Sequence, residues 1–93
     1  FLFRALGPSL SAFGVPNALP NPRLEVFSAA GALGANDDWQ ATQTAEISAT
    51  GSAPTDPREA ALILTLGPGS YTAIVRGSSG STGNAIVEVY NLP

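Results

Sequence analysis

Asn36, Asp37 and Asp38, beside the only tryptophan, Trp39, are the densest group of chemistry-bearing side chains in the 93-residue chain. Clustered oxygen ligands on a loop are what a Ca²⁺ site requires, and Asp56 or Glu46 could complete the shell. The spacing of an EF-hand is not present. Asp37 and Asp38 beside an aromatic platform also suggest a glycosidase pair, but adjacent residues on a strand face opposite ways. The plainer reading is a turn in which Asn36 and Asp37 bond their own backbone while Trp39 plugs the end of a core. A second polar cluster, PTDPREA (residues 54–60), holds Asp56, Arg58 and Glu59. Its guanidinium suits bidentate contact with an anion or a sugar, and equally a solvated turn ahead of a strand.

Other chemistry is excluded by what is missing. With no His, Cys or Lys, the usual general bases and covalent nucleophiles are gone, and catalysis would rest on carboxylates, Ser or Tyr. The glycines at 67, 69, 77, 80 and 83 do not follow a strand and open a helix, so they make no phosphate-binding loop. The expectation is a non-enzyme with no cofactor unless Ca²⁺ occupies Asn36, Asp37 and Asp38. The only cations are Arg4, Arg23, Arg58 and Arg76, and the net charge is −3, so there is no basic stripe for nucleic acid. No apolar run is long enough to span a bilayer. Lack of Cys and Met removes the most easily oxidised side chains, which suits a secreted, extracellular or cell-surface life.

The elements that position these residues read as strands. LEVF within residues 23–29 alternates, and AALILTL (60–66) is apolar on both pleat faces, as a central strand would be. Residues 71–76 and 85–92 are β-branched and aromatic, and their spacing fits a hairpin with a long Gly/Ser tip. AEIS (45–48) suits a short strand, although WQATQTAEI could make one helical turn. Four of the eight prolines fall in residues 7–22, so that stretch is a loop packed over the core through Leu10, Phe13, Val15 and Leu19. The pattern predicts one domain over residues 1–93: an all-β, antiparallel β-sandwich of about seven strands. The expected core is Leu24, Val26, Leu62, Leu64, Val75, Val87 and Val89.

Three stretches carry a resemblance: RALGPSLSAFGV, NPRLEVFSAAGALGANDDW and LGPGSYTAIVRGSSGSTGNAIVEVYNL. In that order they resemble a module repeated in long secreted proteins of environmental bacteria. Residues 23–90 are also similar to bacterial pre-peptidase C-terminal β-sandwich domains. These resemblances imply a jelly-roll-like or immunoglobulin-like sandwich in an exported multi-domain chain, with no catalytic residue. Such modules are often preceded by further strand-forming sequence, which implies a sheet lacking a strand.

The chain opens on Phe1 with no Met, inside what reads as an apolar strand. Phe1, Phe3 and Ala5 lie on one pleat face, Leu2, Arg4 and Leu6 on the other, and five of these six residues are apolar. Such a strand needs a sheet to cover it. Either it pairs within its own domain, or it joins the unpaired edge of a neighbouring copy and builds a filament. The function expected from the sequence is therefore a structural module of an extracellular bacterial fibre, assembling through residues 1–6. The alternative is a carbohydrate-binding or adhesion module that stacks polysaccharide on Trp39, Tyr71 or Tyr90.

Overall fold

A computed structural model describes residues 1–91. It contains six strands: β1 (Leu2–Leu6), β2 (Pro22–Ser28), β3 (Gly31–Asn36), β4 (Ala60–Ile63), β5 (Tyr71–Gly77) and β6 (Ile86–Tyr90). They form two three-stranded antiparallel sheets, ordered β4-β1-β6 and β3-β2-β5. The one α-helix, α1 (Thr44–Ala49), and 3₁₀ segments at Pro8–Phe13, Trp39–Ala41 and Ser78–Gly80 lie in the connections. The protein is all-β and antiparallel, as the alternation predicts.

One core lies between the sheets. Phe3 and Ala5 of β1, with Ala60 and Leu62 of β4, meet Leu24 and Val26 of β2, and Leu64, Leu66, Ala73 and Val75 pack around them. A second core covers the outer face of the first sheet, where Leu2, Ala61, Trp39 and the α1 residue Ile47 are all buried. Two cores explain why β1 and β4 are apolar on both pleat faces: each strand is covered on both sides. At Gly34 of β3 an added Cβ would lie 2.9 Å from Leu62 Cδ2, so the glycine lets the sheets approach there.

Several elements differ from the sequence expectation. Residues 45–48 form part of α1, because Ile47 packs on the sheet from outside instead of joining it. Residues 31–36, read as turn and acidic loop, are strand β3, and the turn is only Ala29-Ala30. β4 ends at Ile63 and is an edge strand. β5 and β6 are not a hairpin, because they belong to different sheets. The final strand ends at Tyr90, and Leu92 lies outside the described residues. In the proline-rich stretch Leu10 and Leu19 are buried as expected, whereas Phe13 is 82% exposed. The largest departure is in the core: Val87 and Val89 are 44% and 53% exposed.

Candidate functional site

Residues 1–6 pair within their own sheet. β1 is the central strand, with Leu2 opposite Ile63 and Tyr90, and Arg4 opposite Ala61 and Glu88. Leu2, Phe3 and Ala5 are buried, Arg4 and Leu6 are half-buried, and only Phe1 among the six is exposed. A strand shared between copies must therefore first leave this slot.

The hydrogen-bond parity of that sheet follows from its end. Phe1 and Leu64 exchange both backbone bonds, at 2.9 and 3.0 Å. Bonded pairs alternate with non-bonded pairs in an antiparallel ladder. The odd residues of β1 therefore bond to β4 and its even residues bond to β6. It follows that Ala61 and Ile63 of β4, and Val87 and Val89 of β6, aim their backbone groups away from the sheet.

The two edges are treated very differently. Along β4, the Ala61 N–H donates to Asn36 Oδ1 at 3.0 Å. Gln43 acts as a surrogate strand residue: its Oε1 accepts from the Ile63 N–H at 3.0 Å and its Nε2 donates to the Ile63 carbonyl at 3.1 Å. The Trp39 N–H donates to the Glu59 carbonyl at 2.9 Å. Gln43 holds a left-handed φ of 43°, an uncommon conformation for a residue with a Cβ, and its two bonds to β4 help retain it there. Along β6, by contrast, the outward N–H and C=O groups of Val87 and Val89 have no partner among the described residues.

That open edge borders an apolar cleft of about 570 Å³, lined by Phe1, Phe3, Leu66, Tyr71, Ala73, Val89 and the Gly67–Gly69 turn. Val87 and Val89 stand opposite Ala5 and Phe3, so their side chains share the inward face. They remain half in water because β5 and β6 do not close on one another. Buried large apolar side chains contribute about 1.5–3 kcal/mol each, so this side of the molecule leaves burial unused. On the opposite face of β6, Glu88 accepts from Arg4 Nε at 2.9 Å and also pairs with Arg4 Nη2. Arg4 donates to the Tyr90 hydroxyl at 3.0 Å, with its guanidinium 5.2 Å from the Tyr90 ring centroid.

The acidic triplet is dispersed. The Asn36 carboxamide is buried and committed at both ends, accepting from Ala61 and donating to the Asp38 carbonyl at 3.1 Å and Thr42 Oγ1 at 3.3 Å. Asp37 receives the Asn21 amide at 2.8 Å when that amide is turned to present its nitrogen. Asp38 is exposed. Among the described residues no three His, Cys, Asp or Glu side chains converge as a metal site. Adding a chelator is accordingly expected to leave the thermal unfolding curve unchanged, whereas a ligand bound only to the native state would make the midpoint fall on its removal.

In the second polar cluster Arg58 turns back on Asp56, donating from its backbone N–H at 2.9 Å, Nε at 3.1 Å and Nη2 at 3.1 Å. The Arg58 side-chain hydrogen bonds hold the Asp56 carboxyl below its ordinary range. Two of the three guanidinium nitrogens of Arg58 are thereby paired with Asp56. Glu59 points the other way and is fully buried. Its Oε2 accepts from the Gly7 N–H at 2.8 Å, the Ser9 N–H at 3.0 Å and the Ser9 hydroxyl at 2.6 Å. Its Oε1 accepts from the Asp56 N–H at 3.3 Å. Sequence reasoning missed this tie, whose one visible signal is a carboxylate abutting the apolar run that starts at Ala60.

The three aromatic candidates for stacking sugar do not share a surface. Trp39 is buried beneath α1, Tyr71 lines the cleft and bonds the Gly67 carbonyl at 2.6 Å, and Tyr90 packs against Arg4. No helix among the described residues is long and apolar enough to cross a membrane. Searches of protein-family models, of curated proteins and of solved structures gave no match to this chain.

Proposed function

We propose that this chain is a non-catalytic β-sandwich module, jelly-roll-like or immunoglobulin-like, of an extracellular bacterial fibre or surface protein, and that copies join by β-strand addition. The observation that carries the reading is the unfinished side of the molecule. An unpaired apolar edge strand stands over an apolar cleft, while the opposite edge of the same sheet is closed by Asn36, Gln43 and Trp39. Exposed edges attract other strands, and folded domains ordinarily blunt them.

Residues 1–6 supply the strand for exchange. A short Gly7-Pro8 link connects β1 to the element that follows it. A neighbour's copy entering the same slot would remake the same pairings with β4 and β6, so exchange costs no native contact once the hinge opens. Repeated head to tail, the contact gives an open filament.

The test is a lock. Ala5 and Ala60 are directly opposed, and by the parity above they form a bonded pair, with Cα atoms about 5.5 Å apart, within disulfide range. The double variant Ala5→Cys/Ala60→Cys, oxidised as the folded monomer, fastens β1 to its own sheet. Unlocked protein is expected to form filaments visible by electron microscopy, and locked protein to form none until the disulfide is reduced. Equal filament formation by the two would remove strand exchange from the reading.

A further inference from the structure

We infer that the open edge of β6 is a second, independent self-association surface, on which β6 of another copy pairs antiparallel about a two-fold axis. This contact needs no strand to leave its own sheet, so it goes beyond exchange of β1.

The occupant follows from hydrogen bonding, charge and shape together. Val87 and Val89 each present an outward N–H and C=O, and a two-fold through Glu88 sets Val87 opposite Val89 of the second copy as bonded pairs. Four bonds close between the copies, and the two three-stranded sheets become one of six strands. The inward faces add Val87 and Val89 of each chain to those of the other, above the two clefts. Glu88 would face Glu88 of the second copy, and like charges directly opposite are destabilising. Each Glu88 arrives already neutralised by its own Arg4, so the seam carries no net charge.

Charge elsewhere excludes the other edge of that sheet. Glu25 is paired with Arg76, Glu88 with Arg4 and Asp56 with Arg58. Among the described residues Asp37, Asp38, Glu46 and the buried Glu59 have no ion pair, and all four lie in the segment between β3 and β4, while the unpaired arginine, Arg23, is on β2 of the other sheet. The molecule's net negative charge therefore gathers on the closed side and leaves the β6 side neutral. β6 also has no Pro and no Lys, which natural edge strands use to refuse partners.

The experiment is sedimentation velocity on the full chain over a concentration series. The oxidised Ala5→Cys/Ala60→Cys protein, in which β1 cannot exchange and no filament forms, is expected to show a reversible monomer–dimer equilibrium. Val89→Pro removes one outward donor without touching the β1–β6 bonds, and proline is tolerated on an edge at such a position. Val87→Lys places an inward-pointing charge on the edge and covers the case in which Val89→Pro does not fold. Either variant, with far-ultraviolet circular dichroism unchanged, is expected to raise the concentration at half-dimerisation at least ten-fold. Both edge variants are made in that locked protein, whose β6 is unaltered. A folded edge variant that dimerises like its locked parent overturns the inference, and so does a locked protein that stays monomeric throughout. A locked protein that is monomeric while the unlocked one assembles also overturns it and leaves exchange alone. A locked protein that dimerises through β6 supports it, whatever becomes of exchange.

Discussion

Replacing Glu59 with alanine should lower the stability of the domain by about 4 kcal/mol, a large part of the roughly 5–14 kcal/mol available to a chain of this length. The carboxylate is fully buried, is in no salt bridge among the described residues, and is held by the Gly7 and Ser9 N–H groups, the Ser9 hydroxyl and, more weakly, the Asp56 N–H. Hydrogen bonds to a charged acceptor are worth about 1.5–3 kcal/mol each, and donors stranded without water cost a similar amount. The loss is concentrated at the turn that follows β1, so the variant loosens the hinge at Gly7-Pro8 as well. Glu59→Gln keeps the shape and one acceptor oxygen, and should lose about half as much. Chemical denaturation of the two variants beside wild type measures both quantities. A change below about 1 kcal/mol for Glu59→Ala would mean that the turn finds other acceptors.

Leu2→Ala is expected to cost about 2–5 kcal/mol, the range for emptying a well-packed leucine site. Leu2 is fully buried beneath Trp39 and Ile47, and it also belongs to the central strand of its sheet, so its surroundings are held on several sides and collapse poorly. At about 4–8 °C per kcal/mol for a domain of this size, the melting temperature should fall by at least 10 °C or so. Val89→Ala on the open edge gives the contrast. Val89 is already 53% exposed, so the same measurement should move by well under 1 kcal/mol. Similar losses for the two variants would show that Val89 is covered in solution, as it is in a β6-paired dimer. Repeating the comparison at low protein concentration, where a dimer dissociates, separates the two cases.

The fold class was legible in the sequence because strand character is a local property. Period-two alternation in LEVF, β-branched residues at 71–76 and Gly/Pro punctuation point to antiparallel strands before any contact is known. The double-sided apolarity of residues 60–66 pointed to a central strand, whereas β4 is an edge strand covered on both faces, and for residues 1–6 it called for a cover that both faces of β1 receive. It did not reveal what provides the outer cover. That cover is Ile47 and Trp39, which four residues of AEIS, ambiguous between strand and helix turn, could not announce.

The candidate site divides the same way. Composition by itself removed the thiols, imidazoles and lysine amines, and left the acidic triplet among ligand set, carboxylate pair and turn. The tertiary structure decided which partner each polar side chain met across long stretches of chain. Asn36 reaches Ala61, Gln43 reaches Ile63 and Glu59 reaches Gly7 and Ser9, pairings with no periodic signature because they join loops to strand edges. Val87 and Val89 alternate as core residues should, and their side chains do point inward. Whether an inward-facing residue is buried depends on whether the opposite sheet extends over it, and at β6 it does not. Alternation sets the face a side chain takes, because it follows from the pleat of its own strand. Coverage of that face is decided only by how the two sheets meet.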